Sequence, residues 1–242
     1  MEHAVPIAEQ FGLVDPVPFT PRFNLAPTDE GIVVRLGASG REAATLRWGL
    51  VPWWSKDRAG AAKMINARSE SVGEKRAFKD AFHRQRCLVP MSGFFEWKKL
   101  EKSKQPYFIH AKDGSYLAAA GLFDRWKHEG VALETFTVLT TSSNDAIRSL
   151  HDRMPVFVRP ESYSEWLDPQ TKVVRLLELL TPYPDELIEL WPVNPRVGTV
   201  ANDDPSLIVR YEPNAELVVR PSKRAKPVSK DQLALFEDDL KV

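Results

Sequence analysis

With 242 residues, of which 43% are apolar, the chain is long enough to bury a real core as one large domain or two small ones. Its 33 basic and 33 acidic side chains cancel, so overall charge does not announce a nucleic-acid partner; such a partner would need a local basic patch. A single cysteine, Cys87, excludes an intrachain disulfide, and no apolar run is long enough to span a membrane.

Residues 2–13 read as a short helix that stops at Gly12. A Pro-punctuated stretch from Pro16 to Pro27 follows, containing Arg22-Phe23-Asn24-Leu25-Ala26-Pro27. Residues 31–36 and 44–51 look like strands around a Gly-Ala-Ser-Gly turn, and Pro52-Trp53-Trp54 ends the second. Residues 69–83 are charged and partly helical. Strands are expected at 86–90, 93–98, 107–111, 116–123, 135–141 and 187–193, with helical turns at 144–150, 161–167 and 172–180. The irregular mixture predicts an α+β class built on a curved, largely antiparallel sheet or open barrel with short helices around it, over residues 1–212. Beyond it, residues 213–242 are basic, Pro-containing and poor in bulky apolar groups, as in a disordered tail.

Three polar words stand among apolar neighbours: Asn66-Ala67-Arg68, Phe95-Glu96-Trp97 and His151-Asp152-Arg153. Burying unpaired polar groups is costly, so the three suggest a common cleft. Each has a plainer reading. Arg68 and Arg153 could form structural ion pairs with Glu70 or Asp152, or grip phosphates through their planar forks. Strand alternation puts Phe95 and Trp97 on one face and Glu96 on the other, where it could simply be solvated. His151 could be a surface residue or an acid/base group. Trp48, Trp53 and Trp54 could pack in the core or line a stacking groove. No zinc-ligand spacing, phosphate loop or serine-nucleophile elbow is present, and no metal or cofactor is expected.

Six words in order carry a resemblance to the SOS response-associated peptidase family, the abasic-site processing proteins. They are Arg22 to Pro27, Trp48-Gly49-Leu50-Val51-Pro52-Trp53, Ile65-Asn66-Ala67-Arg68-Ser69-Glu70, Arg86-Cys87-Leu88-Val89-Pro90, Gly93-Phe94-Phe95-Glu96-Trp97 and His151-Asp152-Arg153-Met154-Pro155. The resemblance covers about residues 8–210. It implies covalent capture of abasic sites in single-stranded DNA as a thiazolidine on an N-terminal cysteine, exposed when the initiator Met is removed. Asn66, Glu96 and His151 would be catalytic. Asn24, Pro27, Trp53, Trp54, Arg68 and Arg153 would bind DNA. The alternatives are a cysteine-less binder of single-stranded DNA and a peptidase acting on other proteins. Such a protein is expected to be a cytoplasmic, nucleoid-associated monomer.

The family begins Met-Cys-Gly-Arg, whereas this chain begins Met1-Glu2-His3. The reading favoured here is that Met1 is a downstream start and the cysteine lies upstream. In the tail, Gln232-Leu233-Ala234-Leu235-Phe236 resembles the motif that docks repair enzymes on the DNA polymerase sliding clamp, with Gln232, Leu233, Leu235 and Phe236 as the anchors. A short helix folded back on the domain is the alternative.

Overall fold

The computed structural model describes residues 4–15 and 19–212. The strands are β1 (Glu30–Gly37), β2 (Gly40–Trp48), β3 (Asn66–Arg68), β4 (Arg86–Met91), β5 (Phe94–Lys99), β6 (Lys104–Ala111), β7 (Leu117–His128), β8 (Val131–Ser142), β9 (Arg153–Pro155) and β10 (Ile188–Pro192). The helices are α1 (Ala4–Phe11), α2 (Lys79–Arg84), α3 (Asp145–Arg148), α4 (Tyr163–Leu167) and α5 (Val173–Glu178).

Five strands form a ring in the order β2-β1-β4-β7-β8. Its contacts are antiparallel except at the seam, where β2 runs parallel to β8 through Arg47↔Thr135 and Trp48↔Phe136. The expected curved sheet therefore closes on itself. The β7–β8 hairpin turns at Glu129 and Gly130, both with positive φ (47° and 79°), as a tight two-residue turn demands. A second sheet, β10-β6-β5, packs beside the ring.

Alternation along the ring strands sorts two cores. Val33, Leu46, Cys87, Val89, Leu117, Ala119, Phe136 and Val138 fill the interior with Ile109 and Ile188 of the second sheet. Val34, Leu88, Ala118, Ala120, Leu122 and Leu139 face outward and are covered by α1, α2, α4 and α5. Both faces of these strands are thus dry, which is why Leu117-Ala118-Ala119-Ala120 reads as an unbroken apolar run. Phe11 of α1 stacks on Tyr163 of α4, centroids 5.2 Å apart, and fixes the first helix to the ring.

Arg86 ties the outer helices together. It is buried and donates to the carbonyls of Phe82 (2.6 Å) and His83 (2.7 Å) at the end of α2, and to those of Trp166 (2.6 Å) and Asp168 at the end of α4. One cation thereby satisfies four orphan carbonyls and sits at the negative ends of two helices. Burial pushes its guanidinium down to about 10, so it stays protonated at neutral pH.

Two strands were not expected from the sequence, β3 and β9. Past Val138, β8 outruns the ring: β3 pairs with it in parallel (Asn66↔Val138, Arg68↔Thr140), and β9 flanks it antiparallel (Thr140↔Pro155, Ser142↔Arg153). The charged stretch after Arg68 holds one 3-10 turn, Ser69–Ser71, and α2. Gln232, Leu233, Leu235 and Phe236 lie outside the described residues.

Candidate functional site

The β3–β8–β9 extension sets the site's geometry. Ala67 and Leu139 point into the outer core, so their neighbours Asn66, Arg68 and Thr140 point to the opposite side. Arg153 shares that side, because its Nε donates to Thr140 Oγ1 (3.2 Å) and its Nη2 to the Thr140 carbonyl. The rest of its fork closes on Glu70, Nη1 to Oε1 and Nη2 to Oε2, both at 3.0 Å. That pair, with the charge of Arg68 nearby, holds the Glu70 carboxyl below its usual range. Each of the three guanidinium nitrogens of Arg153 is thus engaged within the protein, which is the ion-pair alternative the sequence left open. Arg68 is exposed.

Glu96 arrives from the second sheet. Phe95 and Trp97 pack against Phe108, Val193, Val197 and Leu207 on one face of β5, while Phe94 turns to the ring interior and meets Phe157 at 5.7 Å. Glu96, two residues on, shares the Phe94 side. Gly93 is required at the entry to β5, since a Cβ there would lie 2.4 Å from both the Ile109 carbonyl oxygen and the Phe108 ring. Burial raises the Glu96 carboxyl, opposed by the charge of His151 and a hydrogen bond from the Trp97 N–H, and reinforced by Asp152. Glu96 and His151 therefore feel each other across the site.

His151 follows α3, whose N-cap Asn144 accepts from the Ile147 N–H and donates to the Tyr183 carbonyl (2.8 Å). His151 Nδ1 faces both the Arg153 N–H (3.0 Å) and the Arg153 carbonyl oxygen (3.2 Å). Asp152 Oδ1 lies 3.2 Å from the same Nδ1. The expectation of buried polar words holds in part, for Glu96 and Arg153, which are both largely buried. Asn66 is exposed, and the His151 side chain is 49% exposed. Of the carboxylates here, Glu96 is the largely buried one, whereas Glu70 and Asp152 are exposed.

The aromatic word divides. Trp48 donates from Nε1 to the Ile65 carbonyl (2.9 Å) and stacks on Phe136, so it is structural. Trp54 lies under the Arg76 guanidinium at 4.3 Å. Trp53 is 57% exposed. Pro27 is exposed in a turn closed by Asp29 N to the Ala26 carbonyl. Thr28 there has φ +78°, a strained conformation for a β-branched residue, and the turn is clasped to β2 by Thr28 N to Trp48 O and Trp48 N to Asp29 O. Asn24 is different: its amide nitrogen is committed to the carbonyls of Val197 (3.0 Å), Asn202 (3.0 Å) and Thr199 (3.3 Å). With Arg22 on Asp203 and Asp29, it ties the 197–203 segment to the first turn. Cys87 is fully buried in the interior core, and burial pushes its thiol up, so it is no exposed nucleophile. Sequence reasoning passed over Thr140 and Asp124, whose roles depend on which strands lie side by side.

A closed α+β barrel carrying its polar constellation on an open strand extension defines the class. The chain belongs to the SOS response associated peptidase (SRAP) family, whose model matches residues 2–200. It is 38% identical over 208 residues to the Bacillus subtilis abasic site processing protein YoqW, covering 84% of this chain and 93% of that protein. The Escherichia coli abasic site processing protein YedK is 29% identical over 197 residues, covering 80% and 86%. Among solved structures, a Bacteroides thetaiotaomicron protein superposes with TM-score 0.79 at 26% identity, over 86% of this chain and 96% of its own. A Bordetella bronchiseptica protein matches with TM-score 0.70 at 27% identity, over 80% and 97%.

Proposed function

We propose that this protein processes abasic sites by binding single-stranded DNA across the extension and capturing the baseless sugar beside Asn66, Glu96 and His151. The observation that carries the reading is the Glu96 carboxyl, raised by burial and feeling the charge of His151, beside a strand pairing that turns Asn66 and Arg68 to the side Arg153 shares. Names of relatives agree with it. So does local charge: residues 53–76 hold six cations (Lys56, Arg58, Lys63, Arg68, Lys75, Arg76) against three acids (Asp57, Glu70, Glu74) in a chain that is neutral overall.

The chemistry follows from the groups. His151 takes the hemiacetal hydroxyl proton and returns a proton to the ring oxygen as the ring opens to the aldehyde. A neutral α-amine attacks that carbon, and Glu96, its proton affinity raised by burial, carries the two amine protons in turn to the former carbonyl oxygen, which leaves as water and yields the imine. The neighbouring thiol then adds to the imine carbon and its proton passes to nitrogen, closing a five-membered ring. The amine and thiol would be those of an N-terminal cysteine, as in the family's Met-Cys-Gly-Arg start. The same Glu96 and His151 would release the initiator Met.

The test is single-stranded DNA bearing one abasic site, resolved on a denaturing gel. A chain carrying Met-Cys-Gly-Arg before α1 is expected to give a heat-stable shifted band, and the chain beginning at Met1 a native-gel shift that salt removes. Failure of the extended chain to bind or crosslink would overturn the proposal.

A further inference from the structure

Beyond Trp48, β2 stops, but its hydrogen bonding continues by other means. Gly49 N donates to the Phe136 carbonyl (2.8 Å), Val51 N to the Thr135 hydroxyl (2.9 Å) and Trp53 N to the Asp124 carboxylate (2.9 Å), while the Trp126 indole donates to the Ser55 carbonyl (2.8 Å). Every second residue from 49 to 55 is thus pinned to β7 or β8, and the middle acceptors are side chains. Thr135 and Asp124 are themselves cross-strand partners, both buried. These rungs leave the Trp53 side chain the most exposed of the three indoles in its word, in a loop whose backbone is fixed on one side.

We infer that Asp124 is a positioning residue for Trp53, holding the backbone of the Pro52-Trp53-Trp54 turn so that the indole stands pre-set for stacking on a DNA base. The inference rests on the proposed DNA reading. Asp124 is only 4% exposed, and no cation among the described residues pairs with it. Its oxygens are met by donors instead: the Trp53 N–H, the Arg125 N–H (2.8 Å) and the Gln85 side chain. That set suits an acceptor-only group. Asparagine has the same shape, but its NH2 would face one of these donors. A loop so braced presents its ring without first being ordered, and the ordering cost of binding falls accordingly.

The test is a double-mutant cycle read by fluorescence anisotropy with single-stranded DNA carrying one tetrahydrofuran abasic analogue, which binds without reacting. Loss of one base stack in Trp53→Ala is expected to weaken binding by about 5- to 150-fold. Asp124→Asn is expected to weaken it about 3- to 10-fold alone and less than about twofold in the Trp53→Ala background, because its effect passes through the indole. An equal loss in both backgrounds, or none, overturns the inference while leaving DNA binding intact. If Trp53→Ala binds as tightly as the unmodified protein, the DNA reading of Trp53 fails and the inference with it. Hydrogen exchange supplies a readout independent of the variants: the Trp53 amide of the unmodified protein is expected to be protected despite its exposed side chain, and exchange at the free rate would refute the rung.

Discussion

Replacing Glu70 by Gln separates the two roles open to Arg153. The guanidinium is held twice, by Glu70 at 3.0 Å through both nitrogens and by the hydroxyl and carbonyl of Thr140. Glu70 is 55% exposed, so the pair contributes at most about 1 kcal/mol to folding, and the variant should lose no more than that. Thr140 still aims the fork. The electrostatic gain is larger where a phosphate approaches: one negative charge ~7 Å away repels it by ~0.6 kcal/mol in bulk water and by ~2 kcal/mol at an effective dielectric of ~20. Glu70→Gln is therefore expected to tighten single-stranded DNA binding by about 3- to 30-fold at low salt. The slope of log affinity against log salt should steepen by about 0.7 as one more phosphate is neutralised. Anisotropy titrations at four salt concentrations measure both. Unchanged affinity with an unchanged slope would mean that Arg153 meets no phosphate and serves only to hold β9 to the Ser69–Ser71 turn.

Arg86→Met strands four carbonyls at two helix ends and is expected to cost about 3–5 kcal/mol, lowering the calorimetric midpoint by about 6–20 °C, with Arg86→Lys intermediate. Asn24→Ala should cost about 1–3 kcal/mol in urea unfolding yet change DNA affinity less than about twofold once the protein is folded, since its amide faces three backbone carbonyls. Glu96 binds its proton more tightly folded than unfolded, so between pH 4.5 and its raised value the native state holds the extra proton and stability falls as pH rises. Glu96→Gln is expected to flatten that slope in a melt series from pH 4 to 8; an unaltered slope would place the effect on another group.

Long strands were legible because their patterns are long: β1, β7 and β8 carry their alternation or apolar runs over eight or more residues. The helix stop at Gly12 was readable from a glycine with φ +59°. The strands that escaped, β3 and β9, are three residues each, and nothing in so short a span has a period. They exist because β8 offers free edges past the ring, which is tertiary information. Facing relations across β5 were legible, since alternation alone separated Glu96 from Phe95 and Trp97. Glu70 was readable as an ion-pair candidate, but its choice of Arg153 over Arg68, the bracing task of Asn24 and the buried Asp124 were not, because each depends on a partner distant in sequence.

The order in which a ribosome releases the chain gives the strand extension a further meaning. β3 emerges early, but within the sheet its partner is β8, so Asn66 and Arg68 have no edge to lie against until residues 138–140 follow. Arg153 and its neighbour His151 come later still. A nascent or prematurely ended chain can hold the β1–β2 hairpin and still own no reactive face at all. Truncation anywhere before residue 155 should abolish the activity outright, not diminish it by degrees.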